Sequence, residues 1–229
     1  MVHYNVPVVI IAIDGPSGAG KGTVARAVAH GLHYTHVDTG AMYRAVGWRA
    51  LHLPIPLEDE AAVARLAQDA HFDLTGGRVR IDGHDVTELI RTPQMDTAAT
   101  AVARLPVVRA VLVARQRAMG ARGEIVMEGR DIGTTVFPHA DVKIYLDADP
   151  DERARRRAND PAHSGQQASV ATVASAMQAR DTSDRTRTAS PLMVAPDAIH
   201  IDTTHLSIEE VVDQVLGIVR RKTAGTAAR

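Results

Sequence analysis

The segment Gly15-Pro16-Ser17-Gly18-Ala19-Gly20-Lys21-Gly22-Thr23 constrains this chain more than any other part of it. It follows a continuous apolar run from Val6 to Ile13 (VPVVIIAI) and precedes a helical pattern from Val24 to about Leu32. An apolar run without alternation suits a strand buried on both faces of a parallel sheet. A loop between such a strand and a helix N-terminus can turn several backbone N–H groups toward one anion, and the helix dipole adds to the attraction. Glycines keep that approach open because they carry no Cβ and reach positive φ. Lys21 supplies a point charge for the outer phosphates, so Gly15 to Thr23 is a candidate ATP site. In a strict phosphate loop, Ser or Thr follows the lysine directly. Here Gly22 intervenes and Thr23 carries the hydroxyl, making Thr23 the candidate contact to a phosphate-bound Mg²⁺.

The rest of the chain repeats the strand–helix alternation. Glu124–Gly129 (EIVMEG), Asp141–Ala148 (DVKIYLDA) and Ala198–Thr204 (AIHIDTT) read as further strands. The last leads into a helix from Ser207, with Ser207 and Glu210 in capping-box spacing and Arg220-Arg221-Lys222 at its C-terminal end. This pattern predicts an α/β fold, a doubly wound parallel sheet of the P-loop NTPase type. Between about Asp38 and Met119 the texture changes. His71–Ile90 holds Gly76-Gly77 and Asp82-Gly83, both hairpin-turn signals, between helical stretches at Glu58–Ala70 and Val107–Met119. A small antiparallel element is therefore expected as an insert.

Composition narrows the function. Hydrophobic residues make up 45% of the 229, enough for one domain with a sizeable, mainly aliphatic core. A net charge of −1 lacks the basic excess of a protein that binds nucleic-acid polymers. There are no cysteines, so disulfides and thiolate metal sites are excluded. Nothing approaches the ~20 apolar residues of a membrane span, and Met1–Asn5 carries no basic stretch, so a cytoplasmic location is expected. The eleven histidines are scattered without ligand spacing. Regulatory GTPases use an Asn-Lys-x-Asp motif, but the asparagines here are Asn5 and Asn159, neither followed by Lys. Glu128 in EIVMEGRD could mimic the acidic end of an ATPase strand, yet the chain is small for a motor. A small-molecule kinase fits best.

The Lys-Gly-Thr form of the loop, together with HVDTGAMYR (His36–Arg44), MEGRDIGTTVFP (Met127–Pro138), VKIYLDA (Val142–Ala148) and RDTSDRTR (Arg180–Arg187), resembles bacterial-type cytidylate kinase, of the nucleoside-monophosphate kinase family. The resemblance runs from about Val8 to Lys222. It implies transfer of the γ-phosphoryl group from MgATP to CMP or dCMP, with Lys21, Arg130, Asp131 and Arg180 as the catalytic set. It also implies a P-loop core at 1–37 and 120–229 and an acceptor-binding region at 38–119. By the same resemblance Arg44, Arg130 and Arg180 hold the acceptor phosphate, Asp184 the ribose hydroxyls, and Thr39 and Tyr43 line the acceptor site. Thr100, Arg109 and Asp131 face the base, and Arg187 reaches base or phosphate. Thr39 and Thr100 stand where Ser is familiar; both keep the hydroxyl.

Chemistry leads to the same residue types. A phosphate acceptor is already an oxyanion near neutral pH, so positioning and charge neutralisation suffice without a general base. Guanidinium forks match phosphate oxygens, and Arg180 and Arg187, seven residues apart, share a helix face with Asp184. In Pro150–Ser164 a helix start at Asp149 is followed by Arg153, Arg156 and Arg157, spaced as one positive face. This is a candidate lid, with Arg153 and Arg157 set against the donor phosphates; the bland alternative is an Arg-rich surface helix. Other readings stay open here. One is a kinase for adenylate, uridylate or a metabolite alcohol, the alcohol needing a base such as Asp38 or Asp131. Another is a nucleotide-binding regulator without turnover. A monomer acting on small nucleotides, with no polymer or membrane partner, is the expectation.

Overall fold

Five parallel strands form the centre of the computed structural model, which describes residues 9–160 and 169–224. They are β1 (Ile10–Asp14), β2 (Thr35–Asp38), β6 (Ile125–Gly129), β7 (Val142–Asp147) and β8 (Ile199–Asp202), ordered β2-β6-β1-β7-β8. Side chains alternate across this sheet. Ile11 and Ile13 of β1 enter one core with α1 (Lys21–Leu32) and α8 (Ile208–Ala224), through Val24, Val28, Val211 and Val215. Ala12 faces the other side, beside Met127, Val37 and Val113. Burial on both faces explains the continuous apolar runs of β1 and β6, and the burial of nearly all of β7, Lys143 included. The Val6–Val8 end of the expected first strand lies outside the described residues. The capping box forms as spaced, with Ser207 N donating to Glu210 Oε2 at 2.8 Å and Glu210 N to Ser207 Oγ at 3.2 Å.

Strand β2 adds to the strands expected from the sequence. It is a short edge strand in which Val37 alone is buried, and it lacks a continuous apolar run. It delivers Asp38, whose carboxylate caps α2 (Thr39–His52) by accepting from Ala41 N at 3.0 Å.

Helices α2, α3 (Glu60–Asp69), α4 (Pro93–Ala103) and α5 (Pro106–Met119) pack around Met42, Val46, Val63, Val102 and Leu112. The insert is an antiparallel three-stranded sheet of β3 (Phe72–Asp73), β4 (Arg80–Ile81) and β5 (His84–Asp85). It covers Trp48 and Ile81 beside α2. After β7 come α6 (Pro150–Ala158) and α7 (Val170–Thr186). Asp149 caps α6 by accepting from Asp151 N at 2.9 Å. Residues 161–164 of the expected lid lie outside the described residues.

All five strands run the same way, so the segments leaving β1, β2, β6 and β7 emerge on one edge. Ligands of open α/β sheets bind beyond the carboxyl ends of the strands.

Candidate active site

Beyond that edge lies an open cleft of about 1010 Å³, reached from β1, β2, β6, α4, α6 and α7. At its floor is the glycine loop. Gly15 has φ +149°, and a Cβ there would sit 1.9 Å from the carbonyl oxygen of Leu146 on β7. The loop can therefore leave the sheet only through a residue without a side chain. Gly22 abuts Glu128: an added Cβ would come within 3.3 Å of its carboxylate, so a larger residue there would need Glu128 to shift slightly. Lys21 is buried, and its Nζ donates to the carbonyl of Pro16 at 2.6 Å. Burial, followed by the charge of Arg130, lowers its pKa to about 7. An anion in the cleft would reverse that shift. The neighbouring Thr23 is exposed on the cleft wall.

The loop is braced from behind. Arg153 Nη1 donates to Ser17 O at 3.0 Å and to Asp181 Oδ2 at 2.5 Å, while Ser17 N donates to Asp181 Oδ1 at 3.3 Å. This corrects the expectation for α6. Arg153 and Arg157 do not present one face to a ligand, because α6 packs on α7 and Arg153 lies on the covered side. Arg153 is 7% exposed and does not line the cleft; Arg155, Arg156 and Arg157 do. Breaking a buried pair leaves an uncompensated charge and costs about 3–5 kcal/mol. Arg153→Met is therefore expected to lower the urea midpoint strongly and raise KM for ATP. Arg157→Met should shift the midpoint much less. Equal midpoints for the two variants would refute the brace.

The opposite wall is built from acid–arginine pairs. Asp38 Oδ2 accepts from Arg44 Nη2 at 2.9 Å, and Thr39 Oγ1 donates to Glu128 O at 2.7 Å. Arg130 Nε donates to Asp184 Oδ2 at 2.9 Å, and Arg187 Nη1 to Asp184 Oδ1 at 3.2 Å. Burial opposes ionisation of Asp184, but Arg130, Arg180 and Arg187 prevail and hold its pKa below the usual carboxylate range. Arg180 Nη1 donates to Asp96 Oδ1 at 2.8 Å. Arg109 pairs with Asp131 through Nη2 and lies 5.4 Å over the Tyr43 ring. Arg187 Nη2 meets the other oxygen of Asp131 at 3.5 Å. Burial pushes the Tyr43 hydroxyl up to about 12.

Two backbone devices aim this wall. Asp14, at the end of β1, accepts from Ile132 N at 2.8 Å and Gly133 N at 2.7 Å. Its burial raises its pKa to about 6, partly offset by those two N–H groups. The segment after Asp131 is a π-helical turn, Ile132–Val136, which pins Asp131 between β6 and the cleft. Three side-chain atoms at the cleft are buried without a hydrogen-bond partner among the described residues: Tyr43 Oη, Arg44 Nε and Arg109 Nε. Native interiors seldom leave such groups unpaired, so they point to a polar ligand.

Of the residues singled out in the sequence, Ser17 to Thr23, Thr39, Tyr43, Arg44, Thr100, Arg109, Arg130, Asp131, Arg157, Arg180, Asp184 and Arg187 all line this one cleft. Gly15 and Pro16 lie at the base of the loop, outside its lining. Asp96 and Asp181 complete the arginine network and carry no motif of their own. The order of RDTSDRTR does place Asp181 beside Arg180, the one sequence signal for it. No group of three or more His, Cys, Asp or Glu that could hold a metal occurs among the described residues. No single described helix is long and apolar enough to cross a membrane.

Comparison with known proteins agrees with the geometry. The family model for cytidylate kinase matches residues 11–221. A cytidylate kinase of Solibacter usitatus is 47% identical, over 93% of this chain and 93% of that protein. One from Desulfitobacterium hafniense is 48% identical with the same coverage. Among solved structures, a gluconokinase from Sinorhizobium meliloti superposes with a TM-score of 0.54 at 15% identity, covering 96% of each chain, a likeness of fold alone.

Proposed function

Because the chain belongs to the cytidylate kinase family, we propose that this cleft transfers the γ-phosphoryl group of ATP to CMP or dCMP, giving ADP and CDP or dCDP. The observation that supports the site assignment is the convergence of Arg44, Arg130 and Arg180, from three separate elements, on the same cleft that Lys21 lines. The reaction has little covalent chemistry for the protein to perform. In-line transfer needs two phosphates held at close range and the charge on the moving group neutralised. Lys21 and the loop N–H groups hold the donor, while Arg44, Arg130 and Arg180 hold the acceptor phosphate. Asp184 takes the ribose hydroxyls, and Asp131, Thr100 and Arg109 read the base. Arg157 approaches the donor from α6.

A general base is not part of this scheme. The acid beside Arg44 would serve poorly as one. Burial opposes ionisation of Asp38, but Arg44 and the Ala41 N–H hold its pKa below the usual carboxylate range. This supports a phosphate acceptor over an alcohol.

The donor set at the loop fits Mg²⁺ carried by ATP. A hard cation of this kind keeps mainly phosphate and water ligands, and Thr23 offers one exposed hydroxyl oxygen. Bound there with the nucleotide, the metal would neutralise charge on the β- and γ-phosphates. The proposal includes a cytoplasmic monomer, since one chain supplies both walls of the cleft. ADP release across AMP, CMP, dCMP, UMP and GMP tests the whole reading. CMP and dCMP should be turned over fastest. A preference for AMP or UMP would remove the cytosine assignment, and no turnover with any monophosphate would favour a regulatory nucleotide binder.

A further inference from the structure

Asp96 belongs to no phosphate-binding motif, yet it lies where the cationic groups of the cleft converge. It sits in the first turn of α4, and its two oxygens are divided between different elements. Oδ2 pairs with Arg157 of α6. Oδ1 accepts from Arg180 of α7 at 2.8 Å, and Arg44 Nη1 of α2 stands 4.0 Å from the same atom. All four side chains are largely covered, with Asp96 19% and Arg44 13% exposed. Arg44 also keeps its Nε buried and unpartnered. A small oxyanion spans these guanidinium groups, and two of them, Arg44 and Arg180, belong to the acceptor-phosphate set. Burial lowers the pKa of both Arg157 and Arg180, and Asp96 is the leading influence opposing that shift.

We propose that Asp96 is an internal stand-in for the acceptor phosphate, a positioning residue that holds Arg44, Arg157 and Arg180 together until a phosphate displaces its carboxylate. The proposal rests on the acceptor assignment above and adds to it a built-in counter-charge for the acceptor arginines. Three guanidinium groups at this range repel one another, and a covered site screens that repulsion poorly. Asp96 is the negative charge common to all three, while Asp38 holds Arg44 from its other side at 2.9 Å. A phosphate, with more charge and a third terminal oxygen, satisfies the same forks better and takes them over. The exchange also frees Arg157, so arrival of the acceptor is linked to release of the helix that flanks the donor loop. A carboxylate that competes with substrate weakens binding, and it does so in return for an ordered empty site.

The test is Asp96→Asn, which keeps the shape and removes the charge, with Asp96→Ser as a smaller neutral variant. Thermal unfolding is followed with and without inorganic phosphate, and KM for CMP is measured beside kcat. Without phosphate, both variants should melt below wild type, because the arginines lose their counter-charge. Phosphate should then raise their Tm more than it raises that of wild type, with its Kd falling about tenfold. KM for CMP should fall while kcat changes less. A phosphate response equal to or smaller than wild type, or a raised KM, would overturn the stand-in and leave Asp96 as an ordinary helix-start acid. The phosphate measurement does not depend on which nucleotide the enzyme accepts. A failure of the cytosine assignment would show only in the monophosphate panel.

Discussion

Lys21→Ala is expected to leave the fold intact and lower kcat by about 10²–10³-fold, the usual loss for one preorganised charge donor. Its Nζ is buried beneath the cleft and commits one of three donors to Pro16 O. The remaining hydrogens are available where the outer phosphates would lie. Removing the amine leaves Pro16 O without that partner but adds no buried charge, so the stability loss should be small. The residue also couples binding to pH. Its pKa of about 7 reflects burial and the facing Arg130 charge in a site without an anion. A bound triphosphate favours the protonated form, so the folded, liganded protein has the higher pKa. ATP binding above pH 7 should then take up a proton, and affinity should fall as pH rises through 8 and 9. Calorimetry in buffers of different ionisation enthalpy would detect this uptake in wild type and its absence in Lys21→Ala. Turnover within a few-fold of wild type would remove Lys21 from the mechanism.

The loop that holds Lys21 was fully legible in the sequence, because its chemistry is local. Backbone N–H groups, a missing Cβ and one amine occupy consecutive positions. The same holds for β6, whose Ile125-Val126-Met127 is apolar without a break, and for β7, whose Val142, Ile144 and Leu146 mark one core face. Elements fixed by distant partners were not legible. The edge strand Thr35–Asp38 has Val37 as its single buried residue and no apolar run. The π turn at Ile132–Val136 depends on Asp14, more than a hundred residues away, accepting from its first two N–H groups. Arg153 shows the limit of periodicity most directly. Spacing put Arg153 and Arg157 on neighbouring positions of α6 but could not say that α7 would cover one of them. Asp96 was invisible for a related reason: its partners come from α2, α6 and α7, and nothing in PQMDTAAT marks it.

Asp131→Asn is expected to cut kcat/KM for CMP by about 10²-fold or more while changing UMP far less. Cytosine presents an amino donor at N4, whereas uracil presents a carbonyl at that position. In the proposed arrangement Asp131, which lines the cleft, would offer acceptor oxygens to the base, and Asp is a known partner for this amino group. The structure adds a reason for their orientation. Arg109 and Arg187 grip the carboxylate from two sides, and the π turn fixes the backbone behind it. Thr100 supports the same polarity. Its hydroxyl hydrogen is given to Asp96 O at 2.8 Å, so toward the base it can only accept. On the proposed assignment two acceptors would therefore meet cytosine N4, and both would oppose uracil O4. A site built around such bonds discriminates strongly, since its groups stay unpaired with the wrong base. Asparagine preserves the shape and one acceptor but turns an amide donor into the site, which suits a carbonyl. Alanine would be the poorer probe. Like asparagine it leaves Arg109 and Arg187 without their counter-ion, at a cost of about 3–5 kcal/mol, but it also loses the side-chain shape and the remaining acceptor, so the urea midpoint is measured beside the kinetics for either variant. The deciding quantity is the CMP-to-UMP ratio of kcat/KM, which should collapse toward unity in Asp131→Asn. A proportional loss for both nucleotides would instead place Asp131 behind Arg109 and Arg187 as their counter-ion alone, with base choice left to Thr100.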